Sequence, residues 1–303
     1  MKSDFELMNE LAKRTDYLRE LSEEESRALK KALLDMYIDI ARLCEQHHLT
    51  AMLCGGSCLG AIRHQGFIPW DDDLDLLMPR HDYEQLIRLL EQGALGEKYE
   101  FNTPNPNTDA KNVFLKIYRK DTLNVDIYSD SSPFPQGISI DVFALDAVPR
   151  TRFGQQLKGL IANGLQFISI VVLYAQYPSE HLKEFMALDP DTKRRYRFKC
   201  LLGKLFGIIP HRKWVWWFDR FVACEREDLP WGIPTGRKYY AGEIFPRETY
   251  VPAREALFEG VKVSIPNEYD PYLRNLYKDY MKLPPVEKRE RHFIVQLQLP
   301  QDK

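Results

Sequence analysis

Residues 66–75 read Gly-Phe-Ile-Pro-Trp-Asp-Asp-Asp-Leu-Asp and place four aspartates within five positions. These aspartates are Asp71, Asp72, Asp73 and Asp75. Carboxylates this close together repel one another, so at neutral pH they must spread into water, share protons, or be neutralised by a cation. If a bound metal ion or a basic side chain neutralises the cluster, the cluster can take part in a reaction.

A glycine-glycine-serine sequence, Gly55-Gly56-Ser57, lies a short way upstream. The run Thr50–Cys54 before it is β-prone and is interrupted by the glycines, so Ser57 is predicted to cap a helix that follows. Without Cβ atoms the backbone can approach a phosphate, and the amides at the start of the next helix point toward it. These three residues are therefore candidate phosphate-binding residues.

The segment Leu74–Met78 reads as a strand that Pro79 ends. Side chains two apart on a strand share a face, with roughly 7 Å between their Cα atoms, so Asp73 and Asp75 are expected to converge on one ion. Mg²⁺ is commonly held by one or two protein carboxylates together with phosphate oxygens and water. A nucleoside diphosphate donor would complete such a shell, and the other two aspartates are expected to be supporting or capping groups.

A fifth acid, Asp141, stands in the alternating segment Ile138–Phe143. On a strand it would face opposite to Ile140 and Val142. Arriving from a different strand, its carboxylate could complete the metal site or accept a proton from an attacking hydroxyl.

The chain of 303 residues is 44% hydrophobic and 28% charged, which is enough for one large domain or two modest ones. Its formal net charge of -2 argues against nucleic-acid binding, because such proteins normally carry a basic excess on one face. The five cysteines show no zinc spacing, and buried thiols in a reduced, cytoplasmic protein are the simpler interpretation. The first ten residues carry acids and no apolar run, so no signal peptide is predicted.

Hydrophobic periodicity predicts an α/β fold in which a small mixed sheet within residues 50–143 is flanked by helices. An amphipathic helix over residues 24–47 comes before the sheet, and helical spacing resumes at residues 83–90. Besides the two strands already described, the predicted strands are Val113–Tyr118, Leu123–Tyr128 and Ile138–Phe143.

Residues 150–230 differ in character, because they are helix-prone and contain the uncharged run Leu160–Gln176. This run includes polar side chains and is shorter than the roughly 20 apolar residues of a bilayer span. A buried helix is the preferred interpretation, and contact with a membrane surface is the alternative.

The glycine-glycine-serine turn, the Asp-x-Asp strand and the later lone aspartate together resemble the nucleotidyltransferase superfamily of polymerase-beta type. Within it, residues 55–64, Gly-Gly-Ser-Cys-Leu-Gly-Ala-Ile-Arg-His, and residues 66–75 resemble the LicD family, to which the fukutin group is related. Further parts of the pattern are found at residues 140–143, 258–260, 265–266, 269–270, 277–281 and 283–285, with His292 beyond. Two departures are Lys278, where a glycine is usual, and Ser57, which replaces the commoner threonine.

The resemblance covers about residues 24–150 and 240–293. It implies a polymerase-beta-like nucleotidyltransferase core over residues 1–150, a helical insertion or companion domain over residues 151–239, and a C-terminal segment, residues 240–303, that completes the catalytic domain. The implied activity is metal-dependent transfer of phosphocholine, or a related phospho-substituent, from a CDP-activated donor to a glycan hydroxyl, with release of CMP. The acceptor would be a glycan, a teichoic acid or a lipopolysaccharide precursor.

The resemblance also implies residue roles, with Mg²⁺ or Mn²⁺ as cofactor. The implied catalytic and metal-binding residues are Asp73, Asp75 and Asp141. The implied substrate-binding residues are Gly55, Gly56, Ser57, Arg63, His64 and Lys116, of which Arg63 and Lys116 are the implied phosphate contacts. Phosphoryl transfer needs mainly positioning and charge neutralisation, which this set offers without a covalent nucleophile. Independently of the resemblance, the cysteines and the N-terminal sequence predict a cytoplasmic location, and the run Leu160–Gln176 adds peripheral contact at the inner face of the membrane as an alternative.

Some alternatives are excluded and others stay open. An EF-hand calcium loop is excluded, because Leu76 stands where a glycine is needed and Asp82 where a glutamate is needed. A glycosyltransferase with an Asp-x-Asp metal site stays open, as does a member of the same fold that binds nucleotide or glycan without turnover. For Arg63, a structural ion pair with one of the acids is a second possible role. For His64, a packing role is the alternative. Asp146 is expected to be a loop acid.

Overall fold

The computed structural model describes residues 10–18, 20–128, 133–289 and 294–300. The helices are α1 (Glu23–Gln46), α2 (Gly55–His64), α3 (Arg80–Glu91), α4 (Arg152–Gln176), α5 (Glu180–Ala187), α6 (Pro190–Phe206), α7 (His211–Val222), α8 (Tyr239–Gly242) and α9 (Tyr269–Tyr277). The strands are β1 (Met52–Leu53), β2 (Asp75–Pro79), β3 (Tyr99–Asn102), β4 (Leu115–Arg119), β5 (Leu123–Asp126), β6 (Ser139–Ala147), β7 (Trp231–Gly232), β8 (Ile244–Phe245), β9 (Arg254–Phe258), β10 (Val261–Ile265) and β11 (Ile294–Gln298).

A mixed sheet forms the centre of the fold. Its strand order is β1-β2-β6-β4-β3, and β7 and β8 extend it from the end of β6. Strands β2 and β6 run parallel, whereas the other neighbouring pairs of this sheet are antiparallel. The parallel pair needs a long crossover, which here contains α3, β3, β4 and β5. The predicted mixed α/β fold is therefore confirmed, while the polymerase-beta type of its core stays a prediction.

The sheet differs from the prediction in two strands. The sequence pattern does not predict β3, which forms one edge of the sheet. The predicted strand Leu123–Tyr128 is outside this sheet, because its β5 portion pairs with β11 near the C-terminus. Alternation along a strand indicates which side chains share a face, but not which strand lies beside it.

Helix α1 supports the segment that carries the aspartates. It begins with a capping box in which Ser22 and Glu25 each bond the other's backbone amide. Its apolar residues at helical spacing, including Met36 and Ile40, are buried in the main core. On another side, Lys30 Nζ donates to the carbonyls of Ile68 and Pro69 at 3.3 and 2.9 Å. The segment before Asp71 is thus fixed to α1.

The prediction that Leu160–Gln176 is a buried helix is wrong for much of its length. Helix α4, which contains this run, is long and apolar enough to cross a membrane by length and composition, and 33% of its apolar stretch is buried. Leu160 and Phe167 are among its exposed side chains. The helix packs against α6, α7 and α8 along part of its circumference, so its apolar composition overstated its burial.

The prediction that Asp146 is a loop acid is also wrong, because Asp146 lies in β6 and is fully buried. Its two carboxylate oxygens accept hydrogen bonds from Arg80 Nε and Nη2 at 2.8 and 2.7 Å. Arg80 Nη1 donates to Asp219 Oδ1 at 2.8 Å, which ties α3 and β6 to α7. Burial lowers the pKa of Arg80, but the two carboxylates outweigh this effect and raise it. The sequence could not reveal a partner 66 residues away.

A buried histidine at the start of α7 makes the stability of the fold depend on pH. His211 is 2% exposed, and its Nδ1 atom has no hydrogen-bond partner within the described part of the chain. Burial lowers the pKa of His211 to about 4, although a hydrogen bond to the Ala110 backbone and the charge of Asp109 oppose the shift. An unfolded histidine has a pKa near 6.5, so the unfolded state binds the proton first and stability is lost as the pH falls from about 6.5 toward 4.

We expect His211→Asn to reduce this pH dependence. Between about pH 7 and pH 5, His211 alone should lower the free energy of unfolding of the wild-type chain by about 2 kcal/mol, and the variant should lack that loss. Urea unfolding at the two pH values measures the difference. The side chain of His81 is 66% exposed, so His81→Gln is the matched control and should keep the wild-type slope. A wild-type slope in His211→Asn would show that another group is responsible.

Candidate active site

A cavity of about 480 Å³ opens where the starts of α2 and β2 meet the C-terminal part of the described chain. Its volume is in the range typical of small-molecule sites. Its charged lining residues are Arg63, Asp71, Asp73, Asp75, Arg237, Glu243, Lys282, Lys288 and Arg289. Its aromatic lining residues are Trp70, Phe114, Phe143, Tyr272, Tyr277 and Tyr280. Carboxylates, cations and rings together suit a ligand that has phosphate groups and an organic part.

Three aspartates of the cluster line this cavity. Asp75 is the first residue of β2, and its amide donates to Ser57 Oγ at 2.9 Å. Asp73 comes before β2, so strand alternation does not set the direction of its side chain, contrary to the expectation. Asp71, which the sequence indicated as a support, lines the cavity beside them. The loop before β2, rather than one strand, therefore brings the carboxylates together.

Gly55 and Gly56 belong to the first turn of α2 and not to a turn before it. Gly55 has a φ of 51°, a conformation that favours glycine. A Cβ atom at Gly56 would lie 2.7 Å from Asp71 Oδ2, and one at Gly55 would lie 3.4 Å from Asp75 Oδ2. The missing side chain of Gly56 thus makes room for the Asp71 carboxylate, whereas a Cβ atom at Gly55 would be in ordinary contact with Asp75.

Ser57 is not the helix cap that the sequence predicts. Helix α2 begins at Gly55, and the N-cap position is occupied by Cys54, three residues before Ser57. Ser57 is buried in the first turn, where its Oγ accepts the amide of Asp75. Ser57 therefore ties β2 to α2 beside the cavity and is not one of the lining residues.

Asp75, Asp141 and Lys116 stand side by side on three neighbouring strands. Asp75 is in register with Asp141 across β2 and β6, and Asp141 with Lys116 across β6 and β4. Such neighbours share a face of the sheet, with the strands about 4.8 Å apart. Lys116 Nζ lies 2.8 Å from Asp141 Oδ1. Burial lowers the pKa of Lys116, but the Asp141 carboxylate outweighs this and raises it, so the lysine stays charged.

Neither Asp141 nor Lys116 is among the residues that line the cavity. Phe143 does line it, and it lies on the same face of β6 as Asp141, two residues away. Asp141 is therefore next to the cavity, with its carboxylate held by Lys116. This pairing also gives Lys116 a partner other than the phosphate that the resemblance implied.

Arg63 and His64, at the end of α2, have different surroundings. Arg63 lines the cavity and donates from Nη1 to the Tyr280 carbonyl at 2.6 Å, so this partner is a backbone group and not an acid. Burial lowers the pKa of Arg63, and the nearby Asp71 partly opposes the shift. His64 is not a lining residue, and its ring stands edge-on to Trp70 with 6.5 Å between centroids. These contacts favour the packing role for His64.

The cavity fits a hard cation that brings part of its own coordination shell. Within the described ranges, no group of three or more His, Cys, Asp and Glu side chains could enclose a metal ion. Mg²⁺ needs only one or two protein carboxylates when phosphate and water supply the other oxygens, and Asp73 and Asp75 are such a pair. Cys54 also lines the cavity, but burial, reinforced by Asp75, raises the pKa of its thiol well above the usual value, so it is no thiolate ligand.

Two arginines in the cavity wall were not indicated by the sequence. The guanidinium of Arg237 lies 5.5 Å from the centroid of the Tyr277 ring, and that of Arg289 lies 4.0 Å from the centroid of Trp70. Neither arginine belongs to a motif quoted above. The only sequence signal for this wall is the C-terminal pattern around Tyr277 and Tyr280.

Lys278 shows why a glycine is usual at its position in that pattern. It has a φ of 59°, in the left-handed region that side-chain-bearing residues rarely adopt. It follows α9, and its amide donates to the Arg274 carbonyl at 2.9 Å. His292, the last residue of the quoted pattern, lies outside the described residues.

Residues 48–143 match the family model of the LicD/FKTN/FKRP nucleotidyltransferase domain. The chain is also 28% identical, over 263 residues, to the lipopolysaccharide cholinephosphotransferase LicD of Haemophilus influenzae (strain ATCC 51907 / DSM 11121 / KW20 / Rd). That alignment covers 83% of this chain and 89% of the Haemophilus protein. Residues 48–143 of this chain therefore belong to the LicD family. The resemblance seen in the sequence is therefore confirmed.

A second relative of this chain is the uncharacterized protein RP689 of Rickettsia prowazekii (strain Madrid E). The two are 38% identical over 65 residues, which is 21% of this chain and 24% of the Rickettsia protein. The LicD-family domain at residues 48–143 contains every site residue predicted from the sequence, from Gly55 to Asp141. The wall of the cavity that carries Arg237, Tyr277 and Arg289 lies outside it.

Proposed function

We propose that this protein transfers phosphocholine from CDP-choline to a hydroxyl group of a lipopolysaccharide and releases CMP. The Haemophilus relative, which aligns with most of this chain, is named a lipopolysaccharide cholinephosphotransferase. The observation that carries the proposal is the cavity of about 480 Å³ in which three aspartates meet arginines and aromatic rings. A nucleotidyltransferase core of polymerase-beta type is part of the proposal.

Asp73 and Asp75 are proposed to hold Mg²⁺, or Mn²⁺ in its place. When bound, the ion neutralises charge on the phosphate oxygens of the donor. The Asp75 carboxylate lies close to the first turn of α2, whose partial positive charge also favours a phosphate. Gly56 contributes by leaving space for Asp71.

Arg63 and Arg237 are proposed to bind the diphosphate from the cavity wall. The hydrogen bond to the Tyr280 carbonyl fixes the guanidinium of Arg63, and the ring of Tyr277 supports that of Arg237. Cations that are already in position stabilise the charge that develops on the departing CMP without a reorganisation cost. These two arginines take the role that the resemblance implied for Lys116.

The acceptor hydroxyl is proposed to attack the phosphorus atom that carries choline. Its oxygen forms a new P–O bond, the bond from that phosphorus to the bridging oxygen of the diphosphate breaks, and CMP leaves with the bonding electrons. Asp141 is proposed to take the hydroxyl proton, because its carboxylate is held in position by Lys116 and it stands in register with Asp75. A role for Asp141 as metal ligand stays a prediction.

The trimethylammonium group of choline is proposed to lie against Phe114 and Phe143. These two rings line the cavity with 4.7 Å between their centroids, whereas arginines already cover one face of Trp70 and one face of Tyr277. Aromatic faces attract quaternary ammonium ions. CDP-choline is therefore expected to be a better donor than CDP-ethanolamine or a CDP-polyol.

Release of CMP from a panel of CDP-linked donors tests this function. With lipopolysaccharide and Mg²⁺ present, the purified protein should release CMP from CDP-choline faster than from the other two donors. EDTA should stop the release, and Mg²⁺ or Mn²⁺ should restore it, because the two carboxylates and the diphosphate are all negatively charged and need a cation between them. Full activity after rigorous chelation would remove the metal from the mechanism.

The same assay separates the alternative functions. A glycosyltransferase with an Asp-x-Asp site would release UDP from UDP-glucose and leave CDP-choline intact. A non-catalytic member of the fold would bind CDP-choline in calorimetry without releasing CMP. The presence of Asp73, Asp75 and Asp141 favours turnover, since loss of these acids would be expected in a member that only binds.

A further inference from the structure

Helix α6 has an apolar stripe that faces solvent. Phe198, Leu201 and Leu205 are 59%, 65% and 64% exposed, and Ile208 just beyond the helix is 87% exposed. Their spacing of three and four residues places the helical members on one side of α6. These four residues are called the α6 stripe. Large apolar side chains that cluster in this way on a surface mark an interaction site.

Basic residues surround the α6 stripe. Helix α6 carries a single acid, Asp191, and its basic residues are Lys193, Arg194, Arg195, Arg197, Lys199 and Lys204. All of the basic residues except Lys199 are classed as exposed. The whole chain has a formal net charge of -2, so this helix is a strong local excess of positive charge. Apolar residues with Lys and Arg beside them are typical of helices that lie in a membrane interface.

Helix α4 fixes α6 in place and has exposed apolar side chains of its own. A Cβ atom at Gly203 of α6 would overlap the Val171 carbonyl oxygen of α4, so the two helices touch backbone to backbone. Gln176 Nε2 also donates to the Gly207 carbonyl at 2.9 Å. At the other end of α4, Phe153 and Leu160 are 75% and 72% exposed.

We propose that the α6 stripe, with the exposed end of α4, binds the surface of an anionic phospholipid bilayer. The positive charge of α6 complements anionic headgroups, at about 1 kcal/mol for each Lys or Arg near the surface, while the stripe enters the acyl boundary. A second copy of the chain is disfavoured as the occupant, because a symmetric contact would bring the same basic helix against itself. This inference does not depend on the proposed phosphocholine transfer.

The helices are proposed to lie on the bilayer and not to cross it. Ala162 and Val172 of α4 are buried in the protein, and Lys158 Nζ donates to the Val222 carbonyl at 3.3 Å. A spanning α4 would have to leave these contacts, as well as the close contact at Gly203. Surface binding uses only side chains that are already exposed.

Sedimentation with vesicles tests the proposal with the full chain. Wild-type protein should bind vesicles made of equal parts phosphatidylcholine and phosphatidylglycerol, should bind phosphatidylcholine vesicles weakly, and should be released by high salt. Leu201→Glu/Leu205→Glu should lower the affinity for anionic vesicles at least about tenfold, because the variant lacks two leucines that enter the bilayer in the wild-type complex. Leu257 is a 50% exposed residue on β9, so Leu257→Glu is the matched control and should bind like wild type.

Several results would overturn the proposal. One is wild-type vesicle binding by Leu201→Glu/Leu205→Glu, provided that circular dichroism shows the variant to be folded. A second is membrane association that resists both high salt and alkaline extraction, which would indicate a spanning helix. A third is self-association, measured by sedimentation velocity and lost in the variant, without any binding to vesicles. CMP release from CDP-choline in solution should be equal in wild type and variant, so a failure of this inference is distinguishable from a failure of the proposed function.

Discussion

Replacing Asp75 with asparagine should lower the rate of CMP release from CDP-choline by at least about 100-fold. Asp75 lines the cavity and stands in register with Asp141. Its backbone amide donates a hydrogen bond to Ser57 Oγ, which fixes its position. The substitution keeps the shape of the side chain but removes the negative charge that the proposed cation needs. Asp73→Asn should have an effect of similar size, since Asp73 lines the same cavity.

Asp72→Asn is the matched control for this prediction. Asp72 belongs to the same acidic run but is not one of the lining residues, so its loss should change the rate by less than about tenfold. Initial rates with and without saturating Mg²⁺ measure all three variants, and circular dichroism reports their folding. A wild-type rate in Asp75→Asn, or an equal loss in Asp72→Asn, would contradict the assignment of the metal pair.

Replacing Arg80 with methionine should lower the free energy of unfolding by about 3–5 kcal/mol. Arg80 is 4% exposed and is the bonded partner of two buried carboxylates, Asp146 and Asp219. Without the guanidinium, both acids would be left in a low-dielectric interior with too few donors. Methionine fills a similar volume, so the loss reports mainly on charge.

Urea unfolding measures the effect, and Arg88→Met is the matched control. Arg88 is on the same helix and is exposed, so its replacement should change the free energy of unfolding by less than about 0.5 kcal/mol. If Arg80→Met were as stable as wild type, the buried ion cluster would not be what joins α3 and β6 to α7.

The sequence predicts well what depends on local spacing. Asp141 faces away from the buried Ile140 and Val142, as alternation along β6 requires. The limits of α1 agree with the predicted helix to within one residue. Three aspartates of the cluster line one cavity, and the loop before β2, not one strand, brings Asp73 there.

Features that depend on contacts between distant residues could not be predicted. The sequence predicts Asp146 to be a loop acid, because no residue near it in sequence indicates that Arg80 is its partner. The sequence predicts Lys116 to be a phosphate contact, because neither β4 nor β6 alone indicates the register that places Lys116 beside Asp141. The burial of α4 was overestimated for a related reason, since composition gives hydrophobicity but not the number of neighbours.

The most direct test of the central claim follows the transferred group itself. Purified protein, CDP-choline, Mg²⁺ and lipopolysaccharide are incubated, and the acceptor is examined by phosphorus NMR and mass spectrometry while CMP is quantified. We predict that the lipopolysaccharide gains phosphocholine through a phosphodiester, with one group gained for each CMP released, and that Asp75→Asn produces neither. Release of CMP without any change in the lipopolysaccharide, or a modification that lacks choline or phosphate, would contradict the account.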